Sequence, residues 1–299
     1  MILVAVVSVA LAAVSLLAFF GDQWWILDLV ASFRPQLALA VGVGAGLLLM
    51  ARWWRTGVAV AVVAAINLAV VVPVFMGEPA EGPGSIRIMS YNLLASNEDF
   101  AEVVDFIERT DADVVVLHEA SRPWEVALGS AGLDYQVTRS RTEDLIFGTV
   151  VLTRDPVEIT SYGFSAEEPR AIEISLYGIS ILAIHPLAPS TEERIAIRNG
   201  QFAWYTDWVT ARSGDLIVVG DFNATPWSHP FRQFVADTGL ANSQNGFGLE
   251  LSYPARSIAP MQVSIDHLLH SDGLGVVRRE LGPPMGSDHL PLIVDLTRN

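Results

Sequence analysis

The chain has 299 residues and no cysteine, and 51% of its residues are hydrophobic. Disulfides, thiolate metal centres and a cysteine nucleophile are therefore excluded. Nearly all of the net charge of −15 falls after residue 78, because Asp22, Asp28 and Glu78 balance Arg34, Arg52 and Arg55 up to that point. A dedicated nucleic-acid binder needs cationic surface to displace counterions from phosphates, so this balance argues against one.

Met1–Phe20 is apolar apart from Ser8 and Ser15. Twenty helical residues reach about 30 Å, the thickness of a bilayer's hydrocarbon core. The segment lacks a basic start and two more apolar segments come after it, which favours a retained span over a cleaved signal peptide. Leu37–Ala51 is the second apolar run. It extends to 54 if Arg52 snorkels and Trp53 and Trp54 sit at the interface. Gly57–Met76 is the third, broken only by Asn67 and Pro73. Three transmembrane helices are expected, at about 1–20, 37–54 and 57–76, forming a membrane domain over 1–76. Gly42 and Gly46 make a small-xxx-small pair, and Asn67 reads as an interhelical hydrogen-bonding group.

The loop "ARWWRT" (51–56) carries two arginines, whereas the loop at 21–36 carries two aspartates and one arginine. By the positive-inside rule the first is cytoplasmic and the second outside. The N-terminus is then cytoplasmic, and everything after about 77 is extracytoplasmic. "GEPAEGPGS" (77–85) is a Gly/Pro-rich linker. Its nine residues reach at most about 30 Å, which keeps the remainder of the chain near the headgroups.

A soluble domain spans 86–299. "IRIMSYNLL" (86–94) alternates as a strand does, and 97–110 has a helical apolar face at 100, 103, 104 and 107, with Ser96 as its cap. "DVVVLHEA" (113–120) is a buried strand, and four more are expected at 145–154, 157–164, 171–178 and 179–187. A long helix over 190–212 opens with a capping box from Ser190 to Glu193. Next come the strand "DLIVVGDFN", a short helix at 229–238, and strands at 264–271, 274–281 and 290–297. Two sheets covered by outer helices accommodate this order.

Polar residues end these apolar strands repeatedly. Asn92, Glu119 and His185 each close one; Asp221 and Asn223 close "DLIVV"; Asp266 succeeds "VSI"; Asp288 and His289 precede the last strand. Any one of them reads as turn chemistry. Together, if the strand ends converge, they form an oxygen-rich pocket with imidazoles. Such a donor set suits Mg²⁺ or Mn²⁺ better than zinc. A hard cation beside an Asp–His pair points to attack of water on a phosphoryl centre. A carboxylate would orient or deprotonate the water, and an imidazolium would stabilise developing charge.

In order along the chain, "SYNLL", "LHEA", "GTVVLTR", "AIHPL", "GDFNATP", "SIDHLL" and "GSDHLPL" resemble the endonuclease/exonuclease/phosphatase superfamily. The likeness covers 86–299. It implies a four-layer α/β/β/α sandwich, here preceded by the transmembrane helices, with the site at one end of the two sheets. By the same likeness Glu119 is the principal metal ligand, with Asn92 beside it and Asp288 as a metal-side carboxylate. Asp221 orients or activates water, and Asn223 holds phosphate or water. His289 meets the scissile phosphate, and Asp266 orients His289. His185 resembles the extra phosphate-contacting histidine of the phosphatase and sphingomyelinase branches. His118 and His267 alternate away from the site and read as structural. Thr153 and Arg154 read as strand caps, and Tyr253 with Pro254 as packing.

These readings give a membrane-anchored, Mg-dependent phosphoesterase acting on a lipid or lipid-linked phosphate at the outer face. The arrangement resembles membrane-anchored bacterial members of the superfamily, including the glycopeptide-resistance type, for which an undecaprenyl-type phosphate is one candidate. The alternative is an extracytoplasmic nuclease acting on DNA, against which the charge and His185 weigh. A non-catalytic tethered binding module is the third reading, and the completeness of the site speaks against it.

Overall fold

The fold is given by a computed structural model that describes residues 1–139, 148–163, 165 and 167–299. It begins with helices α1 (Ile2–Leu17), α2 (Trp25–Ala31), α3 (Arg34–Met50) and α4 (Trp54–Val71). Two helical stretches, Ile2–Phe20 and Trp54–Phe75, are long and apolar enough to cross a membrane, and α2 with α3 forms a pair bent by 72°. The middle apolar segment is thus one arm of a bent pair. Helix α2 occupies the stretch expected to be a loop.

The bend has a local cause. Pro35 sits in the first turn of α3, where its missing N–H costs nothing. Arg34 opens that helix fully buried, donating from Nη1 to the Ser15 carbonyl at 2.8 Å and to Asn67 Oδ1 at 2.9 Å. Asn67 also donates to Ser15 Oγ at 2.9 Å, so it is an interhelical hydrogen-bonding group as expected. Gly42 and Gly46 do not pack as a pair, since both face open space. Gly44 is the close-approach position, where a Cβ would collide with Ser8.

The rest of the chain runs β1 (Ile86–Asn92), α5 (Phe100–Thr110), β2 (Val114–His118), α6 (Arg122–Ser130), β3 (Gln136–Arg139), β4 (Val150–Thr153) and β5 (Glu158–Tyr162). It continues β6 (Ala171–Leu176), β7 (Ile179–Ile184), α7 (Glu192–Thr210), β8 (Asp215–Asp221) and α8 (His229–Thr238). It ends β9 (Ala241–Asn242), β10 (Asp266–His270), β11 (Leu274–Leu281) and β12 (Leu292–Arg298). One sheet has the order β11-β12-β1-β2-β4-β3 and the other β5-β6-β7-β8-β10-β9.

Alternation along the strands explains the layering. Ile86, Ile88, Val114 and Val116 of the first sheet meet Ile181, Ile217, Val219 and Leu268 of the second in one core. The opposite faces are also covered: Met89, Tyr91 and Val115 pack under α5 and α6, and Leu182, Val218 and Leu269 under α7 and α8. Strands buried on both faces read as continuous apolar runs, which makes them visible in the sequence.

Several details differ from expectation. Helix α5 starts at Phe100 and not near Ser96, because Asn97 is tied up elsewhere: its Oδ1 accepts from Asp99 N at 3.0 Å and its Nδ2 donates to the Met285 carbonyl at 2.8 Å. Helix α7 is capped by Thr191, whose Oγ1 accepts from Arg194 N at 3.2 Å, one residue later than the Ser190 box. Helix α6 and the exposed strand β3 have no counterpart among the expected elements. The stretch read as a linker is partly fastened, with Ala80 N and Ser85 N donating to Val276 O and Leu296 O at 2.7 Å each. The expected strand residues 145–147 and 164 lie outside the described residues.

Candidate active site

Strand direction brings the site together. Strands β1 and β2 are parallel, and so are β7 and β8. Their C-terminal ends therefore share an edge, which carries Asn92, Glu119, His185 and Asp221. Strand β10 runs antiparallel to β8 with Asp266 opposite Asp221, and β12 antiparallel to β1. The start of β10 and the approach to β12 thus reach the same edge, with Asp266, Asp288 and His289.

The backbone is specialised there. Glu119 and Asn223 hold left-handed φ values of 53° and 47°. Such conformations are unfavourable for residues with a Cβ and mark constrained positions. Gly220, at φ 146°, lies so close to the Ile184 carbonyl that a Cβ would run into it.

Asn92, Glu119, His185, Asp221, Asn223, Asp288 and His289 line one cavity of about 360 Å³, with Asp266 behind His289. Asn92 bridges two carboxylates, donating from Nδ2 to Glu119 Oε1 and to Asp221 Oδ2 at 3.1 Å each. Asp221 Oδ1 accepts from Asn223 N at 2.8 Å, and Asn223 Nδ2 donates to the Pro186 carbonyl at 3.0 Å. Asp266 Oδ2 lies 2.9 Å from His289 Nδ1, and the other ring nitrogen stands 3.7 Å from Asp221 Oδ2. Ser287 Oγ donates to the Asn92 carbonyl at 2.6 Å and accepts from His289 N at 3.0 Å, so the β12 approach is pinned to the end of β1.

The electrostatics separate the groups. Burial pushes Asp221 up to about 7, with Asp266 adding to the rise and His289 opposing it. Burial alone would lower His289, but Asp266 and Asp221 outweigh it and hold the imidazole up at about 10. The charged form of His289 is thus favoured although the ring is buried. His185 is the reverse: burial, then Arg170, keeps it well below the usual histidine range. Arg170 Nη2 lies 3.4 Å from His185 Nδ1. A guanidinium only donates, so that nitrogen accepts and Nε2 carries the proton. Nε2 faces Asp221 Oδ2 at 3.6 Å and Glu119 Oε1 at 4.0 Å.

Donor atoms of Asp221, Asp266 and His289 lie within 4.8 Å of one another, close enough for a metal. The bond between Asp266 and His289 already occupies a donor of each, so this trio reads better as a hydrogen-bonded relay. Glu119, Asp221 and Asp288 line the same cavity, with Asn92 and Asn223 beside them. That oxygen-rich, sulfur-free set fits a hard divalent cation.

Sequence reasoning missed Arg170 and Arg194 as cavity-lining residues and ranked a site role for Tyr253 below packing. Tyr253, expected to pack, instead stands with its ring 4.8 Å from that of His289. Arg170 precedes β6, whose first residue pairs with Ile184 at the end of β7. No local sequence signal marks Arg170, because this pairing alone sets its place. His118 and His267 do not line the cavity; burial pushes both down to about 3. Thr153 and Arg154 do not line it either.

Fold and cleft together define a hydrolase acting on phosphoester bonds. Residues 89–289 match the Endonuclease/Exonuclease/phosphatase family, and the chain belongs to it. No curated protein matches the chain. Among solved structures, the 3′ phosphatase NExo from Neisseria, bound to product DNA hairpin, shares 18% identity with a TM-score of 0.59, covering 71% of this chain and 100% of that one. The mannosyl-6-phosphatase Bt3783 of Bacteroides thetaiotaomicron shares 16% at a TM-score of 0.56, covering 71% and 100%. An AP endonuclease from Archaeoglobus fulgidus shares 14% at 0.56, covering 70% and 98%. At these identities the likeness is one of fold.

Proposed function

We propose that the protein is a membrane-anchored, Mg²⁺- or Mn²⁺-dependent phosphoesterase that hydrolyses a phosphate ester or pyrophosphate of a lipid or lipid-linked substrate. The observation that carries the chemistry is the convergence of Asp221, His289 and Asp266 with Glu119, Asn92 and Asp288 around one cavity. The lipid assignment is supported by the apolar helices that precede the catalytic residues and by the acidic charge. In this reading 1–76 anchors the chain, 77–85 connects, and 86–299 is catalytic. The N-terminus is cytoplasmic and the site faces outward.

Glu119, Asn92 and Asp288 would hold the cation, which supplies charge neutralisation at the phosphoryl oxygens. Asp221 orients the attacking water and accepts its proton, a task suited to a carboxyl held near neutrality. Asn223 positions phosphate or water beside it. His289 presents its charged Nε2–H to the phosphoryl group, and Asp266 fixes the ring through Nδ1. His185 offers a neutral Nε2–H to a phosphate oxygen. Asp266→Asn is expected to lower kcat by about 10²- to 10³-fold, because the amide keeps an acceptor for the ring but loses the negative charge that holds the His289 imidazole protonated. Steady-state kinetics of the variant, with KM near the parent value, checks this.

The test of the function uses the full chain in detergent with Mg²⁺, offered isoprenoid pyrophosphate, sphingomyelin and plasmid DNA in separate reactions, with Asp221→Ala as control. The expected result is Asp221-dependent release of phosphate or phosphocholine from a lipid, lost on chelation and restored by Mg²⁺ or Mn²⁺. Nicking of plasmid with lipids untouched overturns the lipid reading in favour of a tethered nuclease.

A further inference from the structure

Helix α2 is fastened to the catalytic part of the chain, and the fastening is charged and buried. Asp28 on α2 is 4% exposed and Arg198 on α7 is 2% exposed. Arg198 Nη2 donates to Asp28 Oδ2 at 3.1 Å. The other carboxylate oxygen, Oδ1, accepts from His229 N at 2.6 Å, at the first residue of α8. Arg198 Nη1 also donates to the Asn223 carbonyl at 3.5 Å. One buried pair therefore links α2 to two helices of the second sheet and to the turn bearing Asn223. A buried pair is strongly destabilising to break, because the surviving charge has no water.

The consequence lies one residue and one turn further along α2. Leu29 and Ser32 line the cavity that holds Asp221 and His289. Val263, Ile265 and Pro189 line it too, so the cavity has an ionic end and an apolar wall. On the outside of the same segment Trp24, Ile26 and Phe33 are exposed. An aromatic belt of that kind suits the membrane–water interface.

We infer that α2 is a wall of the active site. It lays the apolar chain of a phosphorylated amphiphile against Leu29 while the phosphate meets Asp221 and His289. Asp28 and Arg198 are the positioning pair that holds this wall in place. The inference rests on the lipid-phosphate reading and adds that the N-terminal region selects the substrate.

The test uses the full chain in phosphatidylcholine nanodiscs and a dodecyl phosphate bearing a diazirine on a carbon close to the phosphate. After irradiation the labelled peptide is mapped by mass spectrometry, with and without inorganic pyrophosphate as competitor. The expected result is label on Leu29 or Ser32 that pyrophosphate displaces and that falls at least tenfold in Asp28→Ala. In the same variant KM for the lipid substrate rises more than kcat falls, and Asp28→Asn, which keeps an acceptor for His229 N, recovers part of the loss. Should Asp28→Ala not fold, Leu29→Asp leaves the pair intact and carries the same expectation for label at Ser32. Displaceable label confined to 253–265 overturns the wall and leaves the lipid reading standing. Label restricted to α1, α3 and α4, indifferent to pyrophosphate, overturns both.

Discussion

Asp221→Asn is expected to reduce hydrolysis by about 10²- to 10⁴-fold, while the melting temperature of the protein does not fall. The two halves of this expectation have one cause. Asp221 sits 1% exposed at the end of a core strand, where burial penalises its ionised form. The same ionised form is what a water molecule needs as an acceptor. An amide of equal size keeps an oxygen for Asn223 N, which Asp221 holds at 2.8 Å, and the bond it gives up to Asn92 Nδ2 is offset by escaping the cost of burying charge. It cannot take a proton. Turnover of the full chain and a thermal melt in the same detergent check both halves. Wild-type turnover by the variant, or a collapsed melt, would sink the assignment.

The largest expected effect on stability is at Arg279. This residue is on β11, in the first sheet, with its side chain wholly inaccessible to solvent. It pairs with Glu250, donates from Nη1 to Ser243 Oγ at 2.6 Å, and reaches the Asp266 carbonyl from Nη2 at 3.4 Å. One guanidinium thus joins the first sheet to the start of β10 in the second. Arg279→Ala leaves the Glu250 carboxylate mostly buried without its partner. Breaking such a pair costs about 3–5 kcal/mol, or a fall of roughly 6–20 °C in Tm for a domain of this size. The double variant Arg279→Met, Glu250→Leu should recover most of it, since replacing both charges by apolar groups removes the orphan. A single variant that melts with the parent would show that the pair contributes nothing net.

The core strands were legible because they are covered on both faces, and the polar residues that end them stood out against that background. Asn92, Glu119, His185, Asp221, Asn223, Asp288 and His289 line one cavity, and Asp266 joins them through its bond to His289. What the sequence hid were pairings of long reach. Asp28 counted as one more charge in an outer loop, and nothing local reveals a partner 170 residues away. Arg170 belongs to no pattern; its place is set only by the pairing of Ala171 with Ile184. Helix α6 carried a readable signal, with Ser121 at the cap and Pro123 in the first turn, but its nine residues bury only Trp124 and Leu128. Strand β3 buries none, because it is a largely exposed edge.

The place of β12 makes it a keystone of the first sheet. That strand lies between β11 and β1, with Ile88 opposite Val294, and Asp288 and His289 lie just before it. Without β12 the strands β11 and β1 share no neighbour, whereas the bond to Asp266 ties His289 to the second sheet. The two outer strands of this half of the sheet are therefore joined through a single keystone strand, and the residues just before it owe their position to it.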